Sequence, residues 1–167
     1  ILLASCADNE LCYHEHPHGR TVNVVNHWKP TQTKPGKGMR LNLFPLNNCP
    51  NYGIDDLGVD GGTVKLAHNS QYKGLSYDYF DCDGVAFRNE TSAQLIEAYT
   101  PPLVRATYSR AFPDENTVSE PKSLHMHMIE SFSVTRGEDP LTIDFYPEDV
   151  VKTYTFEVTR VRGAAYI

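Results

Sequence analysis

The period of the apolar residues is the feature that most limits how this chain can fold. Runs such as residues 21–28 (TVNVVNHW), 39–44 (MRLNLF) and 141–145 (LTIDF) alternate with a period of two, and no segment sustains the 3.6-residue period of a helix. Such alternation sends one row of side chains inward and the other to solvent, as in a half-buried strand. Val22, Val24 and Trp28 share one face in the first run, and Met39, Leu41 and Leu43 in the second. Further short strands read over residues 52–54, 63–67, 75–80, 85–87 and 93–100, with turns at Asp60-Gly61-Gly62 and Asp83-Gly84. Residues 105–120 read as an irregular loop, 124–135 as a bent strand or a short helix, and 150–161 (VVKTYTFEVTRV) as the clearest strand of the chain. About seven short antiparallel strands separated by turn signals indicate an all-β, Ig-like β-sandwich.

With 167 residues the chain fits one domain, or one domain and part of another. Its 15 basic and 21 acidic residues give a formal charge of -6 with no basic run, which argues against a nucleic-acid partner. No apolar stretch reaches the roughly 18–20 residues of a membrane-spanning helix.

The first six residues, Ile1-Leu2-Leu3-Ala4-Ser5-Cys6, are an apolar run that ends on small residues before a cysteine. They match the tail of a secretory signal and, as Leu-Ala-Ser-Cys, the bacterial lipobox. On this reading residues 1–5 are residual signal peptide, Cys6 carries the lipid, and 6–20 form a lipidated tether. Each buried acyl CH2 contributes roughly 0.8 kcal/mol, so several chains on one cysteine make a durable membrane anchor. With Cys6 lipidated, Cys12, Cys49 and Cys82 leave room for one disulfide, whose pairing the sequence leaves open.

His14, His16 and His18 alternate, so an extended segment would point three imidazoles the same way, as a Zn or Cu site needs. Pro17 and Gly19 make this stretch loop-like, and an exposed polar leader is preferred to a metal site. His125 and His127 also alternate and read as part of a half-exposed strand. Asp78, Asp81 and Asp83 lack the spacing and the terminal Glu of a calcium loop. No G-x-S-x-G, H-E-x-x-H or phosphate-binding loop is present, so neither an enzyme nor a cofactor is expected. Ten tyrosines supply material for sugar stacking, and Tyr72, Tyr77 and Tyr79 are the candidates for a glycan-binding row.

Several stretches together resemble a known family. They are Leu11-Cys12-Tyr13, residues 22–28, residues 39–45 (MRLNLFP), Asp60-Gly61-Gly62, residues 85–100 (VAFRNETSAQLIEAYT) and residues 147–167. They are similar to a family of Bacteroidetes lipoproteins of unknown function, itself similar to the fimbrillin and minor fimbrial anchor (FimB-like) subunits. The resemblance implies two transthyretin-like sandwiches in tandem. Residues 21–146 would then be the N-terminal sandwich and 147–167 the first strand of a truncated second one. It also implies an outer-membrane, surface-exposed subunit in which Asp8 and Glu10, just after Cys6, act as an export signal. Such a subunit would be structural or adhesive, a fimbrial anchor or assembly component, joined to fimbrial partners by strand addition. A surface glycan-binding module is the alternative.

Overall fold

A computed structural model describes residues 19–47, 52–102, 118, 120–157 and 159–160. Among these residues there are ten strands and no helix. They are β1 (Gly19–Asn26), β2 (Met39–Pro45), β3 (Gly53–Leu57), β4 (Gly61–Ala67), β5 (Ser70–Tyr77), β6 (Ala86–Arg88), β7 (Glu97–Tyr99), β8 (His125–Val134), β9 (Leu141–Phe145) and β10 (Glu148–Asp149). One sheet has the order β4-β1-β9, the second β10-β8-β5-β2-β3, and β6 and β7 pair as a separate hairpin. The two large sheets form the all-β sandwich expected from the alternation, and seven strands of five residues or more build it. The β1–β9 pair is parallel, with Val22 opposite Leu141 and Asn26 opposite Phe145; the other ladders are antiparallel.

The core between the sheets follows from the alternation. Val22 and Val24 of β1 meet Leu41 and Leu43 of β2, Val64 and Leu66 of β4, Tyr72 of β5, and Ile143 and Phe145 of β9. Burying a Val, Leu or Phe side chain fully contributes about 1.5–3 kcal/mol, so this cluster supplies the main drive to fold. Gly74 lets the Phe145 ring lie against β5, since a Cβ there would stand 3.1 Å from Phe145 Cζ.

Strand β8 resolves the ambiguity over 124–135 in favour of a bent strand. Its pairing with β5 shifts register between Tyr72 and Gly74, so Glu130 and Ser131 together oppose Lys73. This is a β-bulge. Both bulge residues are exposed, and Lys73 Nζ reaches Glu130 at 2.8 Å. The bulge also moves the inward row from odd to even positions: Ile129 faces the core before it, Phe132 and Val134 after it.

One strand reading shortens: residues 93–100 contain only the three-residue β7, because turns occupy 93–95. Of residues 150–161, read as the clearest strand, 150–157 and 159–160 are described and pair with no strand among the described residues, and Tyr154 and Phe156 stand 73% and 84% exposed. Alternation alone does not make a strand without a neighbour to complete the ladder.

Gly61 joins β3 to β4 with φ +114, and a Cβ there would lie 2.0 Å from the Val24 carbonyl oxygen. Only glycine fits this backbone. Gly61→Ala is therefore expected to destabilise the fold by about 2–4 kcal/mol, read as a lower urea midpoint. An unchanged midpoint would show that the β1–β4 approach is looser than described.

Candidate functional site

The five-stranded sheet carries apolar side chains on its second face as well. Phe44, Leu75 and Tyr77 lie there, fully buried, with Tyr79, Phe87, Ala93, Ile96, Met126 and Met128 packed around them. The cover is the β6–β7 hairpin and the turns between its strands, residues 86–99.

One residue of this cover, Glu90, fastens it to the sheet. The Tyr77 hydroxyl donates to the Glu90 carboxylate. The Glu90 carbonyl accepts from the Tyr52 hydroxyl at 2.6 Å and from Asn42 Nδ2 at 3.1 Å. Arg40, opposite Asp56 in the β2–β3 register, grips that carboxylate with Nε at 2.7 Å and Nη2 at 3.1 Å. The same guanidinium lies 3.4 Å above the Tyr79 ring, and its Nη1 is 3.5 Å from Glu90 Oε1. Burial, and then the bond to Glu90, raise the Tyr77 hydroxyl well above the usual tyrosine range, so it stays protonated as the donor.

Away from this latch the cover leaves a void of about 220 Å³. Leu75, Tyr77, Met126 and Met128 line it from the sheet; Phe87, Ala93, Ile96 and Ala98 line it from the cover. It shares Ala98 and Leu124 with a wider groove of about 450 Å³, which runs past Tyr99, Thr100 and Pro121 to Val150 and Val151.

At one end of the sandwich lies a buried polar group. Asp78 and His125 are 2% and 3% exposed, with Asp78 Oδ2 3.7 Å from His125 Nδ1. That distance is too long for a hydrogen bond. Trp28 meets the His125 ring edge-on and donates Nε1–H to the Val59 carbonyl at 3.0 Å. Burial raises the Asp78 carboxyl above its ordinary 3.8. Cys82, four residues on, is pushed up to about 11, first by burial and then by the Asp78 charge. A thiol so placed is a poor nucleophile.

The sequence candidates fall as follows. Cys6, Cys12, Cys49, His14, His16 and His18 lie outside the described residues. The tyrosines do not form an exposed row. Tyr72 is buried in the sandwich core, and Tyr77 is buried on the opposite face of the sheet. Tyr79 stacks on Phe87 beneath Arg40. Asp81 and Asp83 each take a lysine, Lys37 at 3.5 Å and Lys122, while Asp78 faces His125. His125 is buried rather than half-exposed, and His127 packs edge-on against Phe145 and Tyr146. Of the cavity residues the sequence singles out Tyr77 alone; for the others the available signal was the Met126/Met128 alternation beside the histidines.

Fold and site together define an all-β sandwich with a covered second face and an apolar cavity beneath the cover. The chain belongs to the family described as Domain of unknown function (DUF5119), whose model matches residues 5–167. It is 27% identical over 146 residues to a Bacteroides ovatus protein named "Putative fimbrium anchoring subunit Fim4B", a match to 87% of this chain and 42% of that protein. A crystal structure titled as that of "a putative adhesin from Bacteroides ovatus ATCC 8483" shares the fold. It has a TM-score of 0.69 and 23% identity, over 79% of this chain and 45% of that one. The chain thus spans under half the length of these relatives.

Two outcomes follow from the polar end. Because the fold raises the Asp78 pKa, its contribution to stability is complete below about 3.8 and is lost as pH rises through the folded value. Asp78→Asn should therefore gain stability relative to the wild type as pH climbs from 3.8 toward neutrality, in urea titrations at each pH. A difference flat across that range would refute the shift. At pH 8, iodoacetamide should label Cys82 at least about 100-fold more slowly in the native protein than in urea, followed by peptide mapping. Equal rates would mean that the thiol is accessible and ordinary.

Proposed function

We propose that the chain forms part of a structural or adhesive subunit of a fimbrial system, held at the outer membrane by a lipid on Cys6 and displayed at the cell surface. The observation that carries this reading is the likeness over 146 residues to a protein named as a fimbrium anchoring subunit. We propose no catalytic role: Asp81 and Asp83 each face a lysine, Glu90 accepts from the Tyr77 hydroxyl, and the Cys82 thiol is held protonated.

The sheet edges support assembly by strand addition. Among the described residues β9 has a neighbour on one side only, β1, and β10 pairs with β8 only at Met126 and His125. These edges lie on the same side of the sandwich, where a partner's extended segment would find open backbone groups. Arg20 holds the β8–β9 connection in place, with Nε 2.7 Å from the Asp139 carbonyl oxygen and Nη1 2.9 Å from Thr135 Oγ1. A glycan-binding role would rest on Tyr146, 54% exposed and stacked on His27 at 4.9 Å, rather than on Tyr72, Tyr77 or Tyr79.

The test is fractionation and protease shaving of cells expressing the full-length gene, beside a Cys6→Ser variant. The wild type should partition with membranes and be shaved, and Cys6→Ser should leave the membrane fraction. A Cys6→Ser protein anchored like the wild type would overturn the lipid anchor. A wild type protected from protease would overturn surface display.

A further inference from the structure

We infer that the cavity beneath the β6–β7 hairpin is a binding site for one uncharged apolar group, the size of a substituted benzene ring or the terminal carbons of an acyl chain. Its volume of about 220 Å³ exceeds the roughly 150 Å³ at which an apolar protein cavity takes up benzene. The void arises because the cover places two alanines, Ala93 and Ala98, over Leu75 and the two methionines. A leucine at either alanine would fill much of the space.

The lining excludes a polar ligand. Its one hydroxyl, on Tyr77, is engaged by Glu90. The buried polar atoms without a hydrogen-bond partner at Asn42, His125 and His127 belong to residues outside the lining. Among the lining residues no free side-chain polar group is offered to a guest, so what the pocket presents is mainly apolar surface. Met126 and Met128 give the floor unbranched, polarisable side chains that adapt to the shape of an apolar guest. The neck at Ala98 and Leu124, shared with the groove, is the way in. The latch at Glu90 holds a different part of the cover, so the neck can widen without breaking it. Nothing in this site depends on Cys6 or on an envelope location.

The test is titration of the purified chain with toluene and, separately, with 1-octanol, read by methionine-methyl NMR and thermal unfolding. The chain has three methionines, and Met39, buried in β2, serves as the internal reference. Met126 and Met128 resonances should shift while Met39 stays in place, and saturating ligand should raise Tm by about 3 °C. Ala93→Leu should weaken binding at least about tenfold. Ala98→Leu, at the neck, provides a second variant should the first not fold. Binding of toluene alone would assign the site to a free small aromatic; tighter binding of octanol would assign it to an acyl chain entering from the groove. No shift of Met126 or Met128 with either compound, or undiminished affinity in the folded variants, would overturn the site.

Discussion

The rest of the structure depends on a sheet with two apolar faces. Strand β2 is buried along most of its length because Leu41 and Leu43 point into the sandwich while Asn42 and Phe44 point the other way. The β4-β1-β9 sheet covers only the first face. An uncovered second face, with Phe44, Leu75 and Tyr77 on it, would be a contiguous apolar patch of the kind that drives association. The β6–β7 hairpin folds back over it and supplies Phe87, Ala93 and Ile96 as the second layer.

How that cover is attached determines where the cavity lies. The Glu90 latch is a buried polar network, and such networks are stable only when their members are satisfied. The Tyr77 and Tyr52 hydroxyls and Asn42 Nδ2 are satisfied through one residue's carboxylate and carbonyl, while Arg40 is held chiefly by Asp56. The latch fixes the height of the cover above the sheet near residue 90. Further along, the side chains of the cover that line the pocket are Ala93, Ile96 and Ala98, and the two alanines leave space beside Ile96. Tight polar fastening at one point and small side chains further on together produce the void.

Much of the sandwich was legible because alternation reports burial directly. Val22 and Val24, Met39, Leu41 and Leu43, and Ile143 with Phe145 all face inward as the pattern implies. Alternation does not say how many faces are buried, so a tyrosine on a strand reads the same whether it meets solvent or a second layer. Tyr72 and Tyr77 therefore looked available for sugar and are instead packed on opposite faces of one sheet. The β8 bulge hid the other half of the site: it reverses parity at Glu130–Ser131, so one strand carries two incompatible inward rows and resembles neither a clean strand nor a helix.

Residues 150–157 show the converse limit. Their composition favours a strand, with β-branched and aromatic residues at nearly every position. Tyr154 and Phe156 fall two apart, which would place both on one face of an extended segment. What the segment lacks among the described residues is a ladder, and β-propensity measures the fit of side chains to neighbouring strands more than a preference of the isolated backbone. Its strand character is thus a property of the pair it would make. The same limit applies to β9, which among the described residues has β1 alone beside it: one strand's pattern describes only its own side.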